Sequence, residues 1–64
     1  MILRACRHLL NMTREQLADA SGLSVPAISR IELGQAQPRR ATWRVLLWTF
    51  EGYGLQVDER DPSN

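Results

Sequence analysis

Residues Arg14 to Gly34 read REQLADASGLSVPAISRIELG, two short apolar-patterned segments on either side of one glycine. Leu17 and Ala18 precede Gly22, and Leu23, Ile28 and Ile31 follow it, so each half carries an apolar stripe at helical spacing. Ala18 is small enough to let two helices approach closely. Gly22 stands where the chain must reverse, and a residue without Cβ takes positive φ there at no steric cost. A β-branched residue at 22 is therefore expected to be poorly tolerated.

The boundaries of both helices are also written in the chain. Thr13 is an N-cap for the first, and Gln16 three residues on completes the pattern in which cap and side chain satisfy each other's orphan amides. Ser24 caps the second helix. Pro26 falls in that helix's first turn, where a missing N–H costs nothing. Gly34 ends it, and Pro38 prevents an immediate restart.

Arg7, the run TREQLA from Thr13, the turn SGLS from Ser21 and ISRIELGQAQP from Ile28 together resemble the Xre/Cro family of phage and bacterial regulators, lambda-type repressors among them. The resemblance spans residues 3–50 and implies a helix-turn-helix that reads DNA. The chain departs from the family pattern at Asn11, where glycine is common and Asn can replace it in a left-handed conformation. It departs again at Pro26, a recognition-helix position that is usually polar, which touches the base-reading rule and not the fold.

A chain of 64 residues makes one domain with a thin core, below the roughly 70–80 residues at which a single core suffices without a staple. Cys6 alone cannot form an internal disulfide, and His8 beside it makes no metal-ligand set, so no metal or other cofactor is expected. Oligomerisation is the staple that remains. With no long apolar run and no signal-peptide pattern, no membrane partner is expected and a soluble cytoplasmic protein is. The net charge of +1 is unevenly spread. Residues 1–50 carry seven arginines against three carboxylates, a net +4, while residues 51–64 carry one against four, a net −3. The positive field thus belongs to the reading unit, as a phosphate-facing surface needs. Every basic residue is arginine; genomic base composition or selection for bidentate contacts accounts for that equally well.

The expected fold is all-α, a small four-helix lambda-repressor-like domain over residues 1–58, with a short C-terminal strand that pairs across a dimer and a disordered tail at 59–64. Helices are expected at Ile2–Leu10, Arg14–Ala20, Val25–Leu33 and Ala41–Glu51. Leu3 and Leu10, with Trp43, Leu46, Leu47 and Phe50, complete a core around Leu17, Leu23, Ile28 and Ile31. Arg7 shares the apolar side of its helix, a costly place for an unpaired charge. The resemblance implies that Glu32 is its partner, a structural ion pair.

In a helix-turn-helix the second helix enters the major groove and the first crosses the backbone. Its outward positions Val25, Pro26, Ser29 and Arg30 are the expected base readers. Arg30 suits bidentate pairing with guanine, and Val25 and Pro26 suit a thymine methyl. The plainer alternatives are a solvated or phosphate-bound Arg30 and a simple helix start. Phosphate contacts are expected from Thr13 and Arg14 at the start of the first motif helix, from Ser24, and from Gln35, Gln37, Arg39 and Arg40 in the loop GQAQPRR, which in the family lies along the backbone. For Arg39 and Arg40 the alternative is a solvated charged turn.

Val45 and Trp48 lie on a second face of the last helix, with Tyr53 just beyond it, and Leu55-Gln56-Val57-Asp58 alternates like a strand. Val45, Trp48, Tyr53, Leu55 and Val57 are accordingly expected to form a homodimer interface, the strand pairing with its copy. The alternative is a frayed tail with Trp48 extending the core. The expected function is that of a dimeric transcriptional regulator that binds a pseudo-palindromic double-stranded operator, acts by occupancy, is autoregulatory and meets RNA polymerase at its promoter. The rival is a protein-interaction module, an antitoxin or anti-activator holding a cognate protein with the same fold. No catalytic residue is expected, because no nucleophile or carboxylate pair comes with a base.

Overall fold

Four helices make up the computed structural model, which describes residues 2–55: α1 (Ile2–Leu9), α2 (Arg14–Ser21), α3 (Val25–Glu32) and α4 (Arg40–Gly52). Their ends fall within a residue of the sequence expectation. Thr13 and Gln16 form the full capping box on α2: the Gln16 amide donates to Thr13 Oγ1 at 3.0 Å and the Thr13 amide to Gln16 Oε1 at 2.8 Å. Ser24 Oγ accepts the Ala27 amide at 3.2 Å, with Pro26 in the first turn of α3.

The turns follow from local chemistry. Gly22 sits at φ 80° with its amide on the Ala18 carbonyl, and open space surrounds the position where a Cβ would stand. A substitution there is therefore opposed by backbone conformation and not by crowding. The Ser21 hydroxyl, which the sequence did not single out, donates to the Leu17 carbonyl at 2.7 Å and accepts the Leu23 amide at 3.3 Å, stitching α2 to the turn. Asn11 takes φ 54° behind α1, and the Met12 amide reaches back to the Arg7 carbonyl at 3.0 Å. This is the two-bond C-terminal cap whose last residue is normally apolar and folds back on the helix, and Met12 is indeed buried.

α2 packs against both α3 and α4, and α1 against α3. Leu3, Cys6, Met12, Leu17, Ile28, Ile31, Leu46 and Phe50 form the buried cluster, with Leu10, Ala18, Leu23, Trp43 and Leu55 partly buried against it. Leu47 is buried as well. Each fully buried Leu, Ile or Phe contributes ~1.5–3 kcal/mol relative to exposure. Cys6 and Met12 enlarge the core beyond the sequence expectation. Burial raises the Cys6 thiol above its ordinary pKa and keeps it protonated. Trp43 Nε1 is buried without a hydrogen-bond partner among the described residues, where an unmade bond costs about 1–3 kcal/mol.

Leu55 departs from expectation. The Gly54 amide donates to the Glu51 carbonyl at 2.9 Å and the Leu55 amide to the Phe50 carbonyl at 3.0 Å, with Gly54 at φ 91°. Leu55 therefore closes the cap of α4 and rests on the core instead of opening a strand. The remainder of the expected strand, Val57 included, lies outside the described residues, as does the expected tail.

Candidate nucleic-acid interface

The spacing of α3 sorts its side chains into two faces. Ile28, Ile31 and Glu32 are buried, whereas Ser24, Pro26 and Arg30 are exposed and Val25 and Ser29 partly so. Of the four expected base readers, Pro26 and Arg30 thus face away from the buried side of the helix, and Val25 and Ser29 lie at its margin. Gln35, Gln37, Arg39 and Arg40 are all exposed in the loop and at the start of α4, and Arg44 is exposed one turn further on. Thr13 and Ser24 accept the amides of Gln16 and Ala27, the third residue of each helix. A hydroxyl that accepts still has its own proton to donate, so capping leaves each able to bind an anion.

Behind that face, one carboxylate receives two arginines. Arg7 donates from Nε to Glu32 Oε2 at 2.8 Å and from Nη2 to Oε1 at 3.1 Å, while its Nη1 donates to the Met12 carbonyl at 2.9 Å. Arg7 and Glu32 are each only 9% exposed. Arg14 adds a third bond, Nε to Glu32 Oε1 at 3.1 Å. Burial alone would raise the Glu32 carboxyl, but the hydrogen bonds and charges of Arg7 and Arg14 outweigh it and hold it below its ordinary value. The Glu32 hydrogen bond, working against burial, raises Arg7. The bond from Arg14 spans 18 residues of sequence and has no local signature; only the fold brings the start of α2 to the end of α3.

The consequence is electrostatic. Glu32 is internally neutralised, so Arg30, Arg39, Arg40 and Arg44 stand at the surface with no acidic side chain from α3 or its following loop among them. The exposed aromatics lie on and just beyond α4. Trp48 is 71% exposed and Tyr53 59% exposed, with Val45 partly buried on the same helix as Trp48. Leu9 and Leu33 are also exposed. Among the described residues, no group of His, Cys, Asp and Glu could hold a metal ion, and no helix is long and apolar enough to cross a membrane.

A family model described as a helix-turn-helix domain matches residues 2–62. No curated protein and no solved structure matches the chain at a significant level.

Proposed function

The chain belongs to the helix-turn-helix domain family, a family of Xre/lambda-repressor-like DNA-binding domains, and we propose that it binds double-stranded DNA as a dimeric transcriptional regulator. The observation that carries this reading is the asymmetry of α3: buried on Ile28, Ile31 and Glu32, open on Ser24, Pro26 and Arg30, and followed by a loop whose Arg39 and Arg40 are exposed. Val25, Pro26, Ser29 and Arg30 read base edges in the major groove, Arg30 by bidentate pairing with guanine. Thr13, Arg14, Ser24, Gln35, Gln37, Arg39 and Arg40 hold phosphates, supplying affinity without sequence choice.

Dimerisation through Trp48 and Tyr53, with Val45, spaces two reading helices about one duplex turn apart, ~34 Å, and selects a pseudo-palindrome. Large exposed aromatics on so small a chain support this surface. Such a protein acts by occupancy, excluding or recruiting RNA polymerase. Its own concentration sets the response, because dimerisation and DNA binding are linked by mass action.

Selection of bound fragments from random DNA at two salt concentrations tests the reading. An inverted-repeat product with a steep salt dependence is expected. Failure to enrich any duplex contradicts it and favours the use of the same fold to hold a cognate protein. Sedimentation at micromolar concentration tests the interface: the protein should be dimeric and Trp48→Ala monomeric, and an unchanged dimer would refute that surface.

A further inference from the structure

Side chains from α1, α2 and α3 meet at one buried carboxylate, and they are not equally confined there. The Arg7 guanidinium is tied at all three nitrogens, to both Glu32 oxygens and the Met12 carbonyl. Arg14, the first residue of α2, is tied at Nε, the single bond its side chain makes among the described residues. The Glu32 side chain is 1% exposed, that of Arg14 35%. One hydrogen-bonded carboxylate thus serves two cations, Glu15 adds only its charge at Arg7, and Arg14 carries positive charge from the junction to the surface. A guanidinium is rigid and planar, so fixing Nε orients the two Nη groups as well. They keep their protons at the first turn of a helix whose capping box occupies the Thr13 and Gln16 amides, leaving those of Arg14 and Glu15 without an intrahelical acceptor.

We infer that Glu32, buried beneath the surface, is a positioning residue for phosphate: by holding Arg14 at Nε it presents both Nη groups, already oriented, to one backbone phosphate at the start of α2. The inference rests on the duplex-binding reading above and gives Glu32 two separable roles. Its bonds to Arg7 join α1 to α3. Its bond to Arg14 fixes a contact on the outer surface. Lysine replaces arginine poorly in the second role, because its donors all sit on one nitrogen: drawn in to the buried carboxylate, that nitrogen leaves no second one held outward for a phosphate.

The test measures binding of the whole chain to a short mixed-sequence duplex over a series of salt concentrations, for the unaltered protein, Arg14→Lys and Arg14→Ala, with thermal unfolding of each. A mixed sequence suffices because phosphate contacts carry no base information. Arg14→Lys should melt with the unaltered protein, its ammonium meeting Glu32. It should nevertheless bind the duplex as poorly as Arg14→Ala, roughly tenfold more weakly at about 0.1 M salt and with a salt slope smaller by about one. Unaltered binding by Arg14→Lys overturns the inference, since charge alone would then be enough. Arg14→Ala that melts early but binds normally also overturns it, leaving a structural bond only. If the unaltered protein fails to bind duplex at low salt, the duplex-binding reading falls, and the positioning role with it.

Discussion

The junction of α1, α2 and α3 and the outer surface of α3 with its following loop use the same side chain in opposite ways. At the junction Arg7 is 9% exposed and its guanidinium makes three hydrogen bonds; on the surface Arg30, Arg39 and Arg40 are exposed. The first is a charge whose loss leaves a buried carboxylate behind. The others are charges whose loss the fold would hardly register. Arginine content alone therefore says little about binding, and what separates fold from function is where each guanidinium's donors are spent. Arg14 lies between the two regions, bonded inward at Nε and partly exposed.

The contrast breaks most visibly in stability. Arg7→Ala should cost up to about 3–5 kcal/mol in denaturant unfolding, because it leaves the buried Glu32 carboxylate with only its single bond from the partly exposed Arg14, whereas Arg40→Ala should leave the unfolding curve in place. The same junction should be sensitive to acid. Glu32 is held below its ordinary value of 4.5, so its stabilisation is complete above that pH and declines as pH falls through the depressed folded value. In Arg7→Ala only Arg14 still opposes burial, so that acid dependence should shrink or reverse; an equal acid loss in both proteins would place the sensitivity elsewhere.

The next effects should appear in binding. Arg30→Ala is expected to relax choice at one base pair per half-site, by ~1–3 kcal/mol of discrimination, with melting unchanged. Arg40→Ala should weaken every duplex alike, roughly tenfold at about 0.1 M salt. Identical profiles for the two would erase the proposed division between reading and holding. The smallest effect is local: Thr13→Ala removes the α2 cap and should cost ~1 kcal/mol, seen as a lower unfolding midpoint.

The helix-turn-helix was legible because its signals are short-range. Thr13 with Gln16, Ser24 with Pro26, and Gly22 and Gly34 each act within a few residues, and their agreement located α2 and α3. The Met12 cap was missed although Asn11 followed by an apolar residue is its signature; Cys6 was missed although it stands one helical turn from Leu3. Leu55 misled for the opposite reason, since apolar alternation looks like a strand while the Gly54 cap folds that residue back on α4. The Arg14 bond to Glu32 was beyond local reading altogether. The family resemblance implied a partner for Arg7, but nothing near Arg14 in the chain indicates that the same carboxylate reaches it.

The account stands on the outer side of α3 meeting the duplex. Titrating the isotope-labelled protein with duplex DNA and following backbone amide resonances tests this directly. The account predicts that the shifts concentrate at residues 24–30 and 39–40 and at the start of α2. Shifts confined to the surroundings of Trp48 and Tyr53, with α3 unmoved, would contradict it.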